Sequence, residues 1–436
     1  KNLNKFRVDK MVGKKGDVQC IDDNILEKLS LKYRYKFLNN NLMSILKPEH
    51  FSFLRKTQKY FTRFEEKYNI THNEDFYDWI PEIGKEGLIT RVNKFDEIGL
   101  NFDPYGMTAE FMRILATDFF DPQLAMGMGA TVLAVNPILL HHEDVDERLK
   151  ALREMVTGEK IGCICITEPE RGSDAVHMLT TCDEQKDGSY LVNGVKIYQT
   201  NGSKADWAVI YAVTEKNNGN TMAQFLVNTS WEGWEAERLN IPWTPRMHVG
   251  KETFTNLKIP PEYVLGPPGQ GRSHLFEGLN LERLGIVFLN VAEAWNALSH
   301  AVIYANMRKQ FDQEILKYQG VGFPLSDLWA KTMSLTLATL HISQVIDDKL
   351  EKLGTLPKEF NLALVATASQ LKSQAAKLSE RVCYECANLM GGAGACDNTL
   401  MHDLLGISRI QEMGGGTRQI QQYIMSLALR QLFKLL

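Results

Sequence analysis

The stretch IGCICITEPERGSD, Ile161–Asp174, marks the point where the chain changes texture. Just before it, DERLKALREMVTGEK (Asp146–Lys160) sets apolar residues at helical spacing and meets a stop at Gly158. From Ile161 the apolar runs become short and β-like. GSYLVNGVKIYQTNGSKADWAVIYAVT (Gly188–Thr214) then carries strand runs split by Asn193-Gly194 and Asn201-Gly202, both strong turn signals. TMAQFLVNT (Thr221–Thr229) and ETFTNLKIPPEYVLG (Glu252–Gly266) continue the pattern. Residues 161–266 therefore read as a small all-β domain.

Outward from this domain both flanks are helical. FMRILATDFFDPQLAMGMGATVLAVNPILLHH (Phe111–His142) is apolar all round, the mark of helices buried on most faces, and is punctuated by Pro122 and Pro137. After GPPGQG (Gly266–Gly271) four long helical runs follow, broken at GGAGACDN (Gly391–Asn398). Met333, Leu337, Leu340, Val345 and Leu350 trace the apolar face of one of them. The expected fold is α+β and multidomain. It has an N-terminal all-α domain (51–160), a central β-barrel (161–266) and a C-terminal four-helix bundle (267–436). Residues 1–50, rich in Lys and Asn with a weakly amphipathic Ile25–Leu46, read as an extension lying outside the core.

With 436 residues, 44% hydrophobic and 23% charged, the chain has ordinary globular composition and room for two or three packed units. A net charge of −4 disfavours nucleic acid as a partner. No apolar run in the sequence reaches the ~18 residues that span a bilayer, so no membrane span is expected. The basic start lacks the apolar core of a secretory signal. The seven cysteines read as reduced thiols, and the expected location is cytoplasmic. Cys383 and Cys386 form a CxxC near Cys396 and His402, but no second pair accompanies it. Buried small side chains on a helix are the preferred reading, and no metal is expected.

Four stretches carry chemistry. The Gly172-Ser173 turn offers N–H groups and a hydroxyl to an anion such as a phosphate, or is a plain turn. Tyr198 and Thr200 alternate on one strand face, suited to stacking on a flat ring and bonding its edge, or to a half-buried strand. In NLERLGIVFLN, Glu282 and Arg283 sit in an apolar helix. There a carboxylate resists ionisation and suits a general base; otherwise it is a Glu at the wet end of the helix, paired with a cation. Finally, EMGGGTRQIQ (Glu412–Gln421) places three glycines between two helical runs, where each costs roughly 1 kcal/mol relative to Ala. It is a loop of the bundle or a place that needs bare backbone.

Together these pieces resemble the acyl-CoA dehydrogenase family over nearly the whole chain after about Phe51. The motifs are Thr167-Glu168-Pro169 with Gly172-Ser173-Asp174, Asn193-Gly194 with Lys196, and Thr200-Asn201-Gly202. Arg308 with Phe311 and Gln319, LMGGAG (Leu389–Gly394) and Gly416-Thr417 with Gln419-Ile420-Gln421 complete the set. The resemblance implies FAD, which takes hydride from the β-carbon of a CoA thioester while a carboxylate removes the α-proton. In most members that carboxylate directly precedes the Gly-Thr pair; here Gly415 stands there. A subset, resembling isovaleryl-CoA and long-chain acyl-CoA dehydrogenases, carries the base before an Arg in a sequence like LxLER, and LNLERL puts Glu282 at that position. Gly415 keeps the backbone N–H that, with a ribityl hydroxyl of FAD, receives the thioester carbonyl in the family.

By the same resemblance the cofactor-binding positions are Cys165, Thr167, Ser173, Tyr198, Thr200, Arg308, Phe311, Gln319, Asn388, Gly391, Gly392, Thr417 and Gln419. The substrate-binding positions are Ser173, Asn280, Arg283 and Gly416. Implied partners are an acyl-CoA substrate, an electron-transferring flavoprotein and three further copies in a homotetramer, a dimer of dimers in which Arg308 and Gln319 reach the FAD of a neighbouring subunit. Gly127 and Gly129 are expected to floor a roomy acyl pocket. The chain departs from the family at Tyr198, where Trp is common, and at Glu170-Arg171, where small residues are usual. It also departs at Asn388, where Gln is common, and in RMHVGKET (Arg246–Thr253), which lacks a clear Met-Arg-x-Ser. Within the fold, the other expectations are a CoA-dependent lyase or 1,4-elimination enzyme, a flavin oxygenase, and a DNA-binding relative that the acidic balance disfavours.

Overall fold

The structure is a computed structural model that describes residues 21–70, 72, 74–353, 356, 358–396 and 399–434. The first twenty residues of the expected extension lie outside the described residues. Among the described residues twelve α-helices occur: α1 Asp23–Leu29, α2 Leu31–Leu42, α3 Pro48–Tyr68, α4 Ile80–Lys85, α5 Met107–Phe120, α6 Pro122–His141, α7 Asp146–Val156, α8 Gly271–Met307, α9 Gln319–Leu353, α10 Lys358–Met390, α11 Met401–Met413 and α12 Arg418–Lys434. Seven strands form one curled sheet: β1 Gly162–Cys165, β2 Thr181–Glu184, β3 Tyr190–Gln199, β4 Trp207–Val213, β5 Met222–Asn228, β6 Trp234–Arg238 and β7 Gly250–Ile259. The order helix, sheet, helix is the one the sequence predicts.

The chain divides into two compact units. One holds residues 1–74, 104–125 and 284–436; the other holds 75–103 and 126–283. Residues 126–156 fall in the second unit, where Ala134, Val135, Ile138, Leu152 and Met155 pack on the sheet.

In the sheet unit the strand order is β1-β4-β2-β3-β7-β6, with β5 added on β4. Central β4, WAVIYAV, is buried along its whole length, as a strand covered on both faces must be. Its alternate residues serve two cores. Val209, Tyr211 and Val213 face Ala134, Val135, Ile138, Leu152 and Met155 of α6 and α7. Ala208, Ile210 and Ala212 face the sheet interior with Cys163, Cys165, Cys182 and Phe225.

One of the two turn readings needs revision. Asn193-Gly194 is no turn: β3 runs through it with a register shift against β7. A Cβ at Gly194 would stand 2.5 Å from the Thr180 hydroxyl oxygen, so close approach explains that glycine. The hairpin between β2 and β3 turns instead at Asp187-Gly188, where Gly188 has φ 79° and the Asp187 carboxylate accepts from the Ser189 N–H (3.1 Å). Asn201-Gly202 does turn the chain, with Asn201 at φ 68°. The Asn201 amide is fully buried. It donates to the carbonyls of Gly127 (2.8 Å) and Gly162 (3.0 Å) and accepts from the Tyr77 hydroxyl (2.6 Å).

The helical unit is built on α8, α9 and α10, of 37, 35 and 33 residues. The buried face of α9 overlaps only in part with the one traced from its apolar residues: Leu340 is buried, Met333, Val345 and Leu350 are half-buried, and Leu337 is exposed. Thr332, Thr336, Thr339 and Ser343 are fully buried beside Leu325, Leu328, Leu335, Leu340 and Ile346. Each of these hydroxyls donates to the carbonyl four residues earlier, which removes the cost of burying it. The segment 21–46 is likewise no outer appendage. Leu38 and Leu42 are fully buried, and the Arg34 guanidinium donates to the Phe119 carbonyl (2.6 Å) and Asn296 Oδ1 (2.8 Å). Two helices, α6 and α8, are long and apolar enough to cross a membrane, contrary to the reading of the bare sequence. Their most apolar windows are 67% and 89% buried inside the protein, which accounts for their composition.

Removing the Asn201 amide takes the acceptor from the Tyr77 hydroxyl and one donor from each of the Gly127 and Gly162 carbonyls in the interior. Asn201→Ala is expected to cost on the order of 2–4 kcal/mol in urea unfolding. A second expectation concerns pH. Burial opposes charge on His72, but hydrogen bonds to Asp121 (3.0 Å) and Glu65 outweigh it and hold the imidazole up at about 9. A raised folded-state pKa gives stability that is full below the unfolded value of about 6.5 and is lost as pH rises through 9. The stability advantage of the wild type over His72→Gln should therefore shrink between about pH 6 and about pH 10 in chemical denaturation.

Candidate functional site

The sheet unit contains a cleft lined by Leu133 and Asn136 of α6, Ile164 and Ile166 at β1, Tyr211 of β4, and Leu275, Gly278, Leu279 and Glu282 of α8. The spacings explain the lining. Positions 275, 278, 279 and 282 fall on one face of a helix, as do 133 and 136; 164 and 166 share one side of a strand. In the parallel register of β1 and β4, Ile164 lies opposite Val209, so Tyr211 projects from the same side as Ile166. Glu282 is thus a half-buried carboxylate on an otherwise apolar helix face.

The neighbours of Glu282 set the electrostatics. Tyr211 is fully buried and its oxygen accepts from Gln224 Nε2 at 2.5 Å. Burial, then the charges of Glu282 and Glu277, push its phenol far up, so it stays protonated and able to donate. The Arg283 guanidinium donates to Asn280 Oδ1 (2.9 Å). Burial lowers the Arg283 pKa, with the Glu282 charge acting against that shift. A base among apolar walls with a phenol beside it can take a proton from a weakly acidic carbon.

The same unit brings three other candidates together. The Thr167 carbonyl accepts from the Ile197 N–H (2.9 Å) and Gln199 Nε2 (3.1 Å), which sets Thr167 beside Tyr198 and Thr200. Tyr198 sits at a register shift of β3 with φ 68° and its side chain is 63% exposed. A non-glycine residue in that conformation is costly and marks a constrained position. Ser173 is exposed on the turn closed by backbone bonds between Glu168 and Arg171, where the Arg171 guanidinium donates to His177 O (2.9 Å) and Asn217 Oδ1 (3.1 Å). Cys165 is different. Its thiol is buried in the sheet interior, 3.8 Å from Cys163 Sγ, so its side chain does not share the surface of Thr167 and Tyr198. A Cβ at Gly127 would come within 2.8 Å of the Phe76 ring, so that glycine serves close packing.

In the helical unit Arg308, Phe311 and Gln319 cluster on or beside a small hairpin, Lys309–Gln310 paired with Gln313–Glu314. Its two-residue turn is Phe311-Asp312, with φ 50° and 64°, a turn that ordinarily wants Asn-Gly. The Phe311 side chain at its tip is 88% exposed. Asn388 is exposed at the end of α10, and Cβ atoms at Gly391 and Gly392 would meet only open space. Gly415 and Gly416 have φ 60° and 92°, followed by Thr417 and Gln419 at the start of α12. Among the described residues no cluster of His, Cys, Asp and Glu is arranged to hold a metal ion.

Tyr211 and Gln224 lie in apolar strands, and no local pattern marks them as a buried hydrogen-bonded pair beside the cleft.

Residues 163–252 match the family model described as acyl-CoA dehydrogenase, middle domain, and residues 269–429 match acyl-CoA dehydrogenase, C-terminal domain. The chain is similar to an acyl-CoA dehydrogenase of Bacillus subtilis (strain 168), 29% identical over 303 residues, 68% of this chain and 75% of that one. It is also similar to the caffeyl-CoA reductase-Etf complex subunit CarC of Acetobacterium woodii, 30% identical over 300 residues, 67% of this chain and 74% of that one. The fold matches that of an acyl-CoA dehydrogenase complexed with FAD from Bacillus anthracis. The TM-score is 0.79 and the identity 22%, with 90% of this chain and 68% of that one covered.

Tyr211→Phe removes the acceptor of the buried Gln224 amide and should cost on the order of 1–3 kcal/mol in urea unfolding. Adding Gln224→Leu should recover part of that loss, since no buried donor is then left unpaired.

Proposed function

This chain belongs to the acyl-CoA dehydrogenase family, and we propose that it oxidises an acyl-CoA thioester to the enoyl-CoA with Glu282 as the base. The observation that carries the reading is the half-buried Glu282 on the apolar face of α8, lining a cleft with Leu275, Gly278 and Leu279. A thioester α-carbon is weakly acidic, so its proton leaves only if the carbonyl oxygen is held as charge builds on it. Glu282 takes that proton. The backbone N–H of Gly415 receives the carbonyl oxygen, and Asn280, Arg283, Ser173 and Gly416 contact the thioester. The apolar walls of the cleft exclude water and strengthen the base.

FAD, when bound, supplies the acceptor for the hydride that leaves the β-carbon. The exposed, constrained Tyr198 ring and the open backbone of Gly391 and Gly392 fit a flat, phosphate-bearing group of that kind. The resemblance assigns Thr167, Ser173, Tyr198, Thr200, Phe311, Asn388, Gly391, Gly392, Thr417 and Gln419 to holding it, with Arg308 and Gln319 reaching the FAD of a neighbouring subunit. The FAD complex of the Bacillus anthracis protein supports this assignment.

The acceptor of the electrons is an electron-transferring flavoprotein, a reading supported by the Etf complex named for the Acetobacterium relative. The assembly is a homotetramer, supported by Phe311, Phe323, Leu337, Tyr423 and Leu429, which stay exposed on the helical unit of a single chain. Light scattering of the FAD-loaded protein should give four copies; a stable monomer would contradict the assembly.

Glu282→Gln keeps the shape and hydrogen bonding of the side chain but accepts no proton. With FAD and acyl-CoA binding retained, turnover in an anaerobic acyl-CoA screen with an artificial acceptor should fall by on the order of 10²–10⁴. Turnover near the wild-type rate would rule Glu282 out as the base.

A further inference from the structure

We propose that Lys372 is a positioning residue for this reaction, holding the Gly414–Gly416 loop so that the Gly415 N–H is presented to the thioester carbonyl. The inference rests on the reading of Gly415 given above and adds the side chain that fixes it. Lys372 lies in α10 and is fully buried. Its ammonium donates to the carbonyl of Glu412, in the last turn of α11, and to that of Gly416, just before α12, both at 2.8 Å. One side chain therefore ties the two ends of the loop together. Gln421, also fully buried, donates from Nε2 to the carbonyls of Gly415 (2.9 Å) and Gly416 (2.8 Å). These bonds turn the loop carbonyls inward and hold Gly415 and Gly416 in left-handed conformations, φ 60° and 92°, that suit glycine. Among the described residues, no protein acceptor takes the Gly415 N–H.

The charge matters as much as the bonds. The C-terminal end of a helix carries partial negative charge on its last carbonyls. The loop follows the end of α11 directly, so an enolate forming at Gly415 would meet an unfavourable field. Lys372 places a full positive charge on one of those carbonyls. The Glu412 carboxylate does not compete for it: it is turned to Arg409 (3.0 Å) and Arg418 (3.5 Å), and Arg409 also pairs with Glu380. The start of α12 adds the positive end of a second helix to the same loop.

The test uses the full-length FAD-loaded protein carrying Lys372→Met, which removes the ammonium at similar volume, and Lys372→Arg, which keeps a charged donor. Three quantities are read: amide hydrogen exchange in residues 412–421, the apparent pKa for enolisation of bound acetoacetyl-CoA, and kcat and KM with an acyl-CoA substrate. Lys372→Met should speed exchange at Gly415 and Gly416 and raise the enolisation pKa by about one unit, so that on the order of tenfold less enolate forms at a given pH. It should lower kcat by on the order of tenfold or more while KM changes little, because the lost interaction belongs to the transition state. Lys372→Arg should recover part of both effects. If Lys372→Met does not fold, Gln421→Met, which cuts the other two loop bonds, is expected to shift exchange and enolisation in the same direction. Unchanged exchange or an unchanged enolisation pKa in a folded Lys372→Met protein overturns the proposal. A wild-type protein that dehydrogenates no acyl-CoA and enolises no ligand overturns the functional reading instead. Normal wild-type turnover matched by Lys372→Met overturns only the role of Lys372.

Discussion

The sheet unit depends on one buried amide. Asn201 sits in a left-handed turn, a conformation that Asn tolerates better than most side chains. From there its side chain reaches the carbonyl of Gly127 on α6, the carbonyl of Gly162 on β1 and the hydroxyl of Tyr77. These groups come from parts of the chain more than thirty residues apart, and all are shielded from water. Leaving any of them unpaired would cost the full desolvation of a polar group. The amide therefore fixes how α6 meets the sheet, and α6 and β1 supply Leu133, Asn136 and Ile164 to the cleft. Gly127 belongs to the same constraint: any larger residue would drive α6 away from Phe76 and stretch the Asn201 bond.

The helical unit solves a different problem, that of polar groups inside long helices. Arg34 enters from α2 and meets Asn296 and the Phe119 carbonyl, while Asn296 bonds the Asp118 carbonyl and carboxylate. Burial pushes the Asp118 carboxyl up to about 8, with Asn296 and the Arg34 charge acting the other way. Burial also raises Glu293, which accepts from the Ser379 hydroxyl (2.6 Å). The threonines of α9 close their own hydroxyls onto the preceding turn. Lys372 belongs to the same class of buried polar side chain, with the difference that its bonds hold a loop rather than a helix packing.

Gly415 and Gly416 stand just before α12 in left-handed conformations that glycine adopts at little cost. Gly415 and Gly416 of EMGGGTRQIQ are explained by conformation and by the inward bonds of Gln421 and Lys372, whereas Gly414 has an ordinary extended backbone.

Much of this was legible in the sequence, and the reason is local. Helical spacing, short β-like runs and turn residues report on neighbours within a few positions, so the order helix, sheet, helix and the odd placement of Glu282 in an apolar helix could be read directly. Resemblance of ordered motifs added the chemistry. What local pattern cannot report is which distant groups will share an interior. Asn193-Gly194 looks like a turn and became a bulge because Thr180 approaches it. The threonines of α9 look like a wet face and are core. Residues 21–46 look like an appendage and are held by Arg34 at Phe119 and Asn296. Tyr211, Gln224 and Lys372 gained their roles only when strands and helices far apart in sequence closed around them. The sequence by itself determined the order of the elements and singled out Glu282 as a candidate base; the tertiary structure decided which faces and which polar groups are buried together, because desolvation is set by long-range packing that no local period encodes.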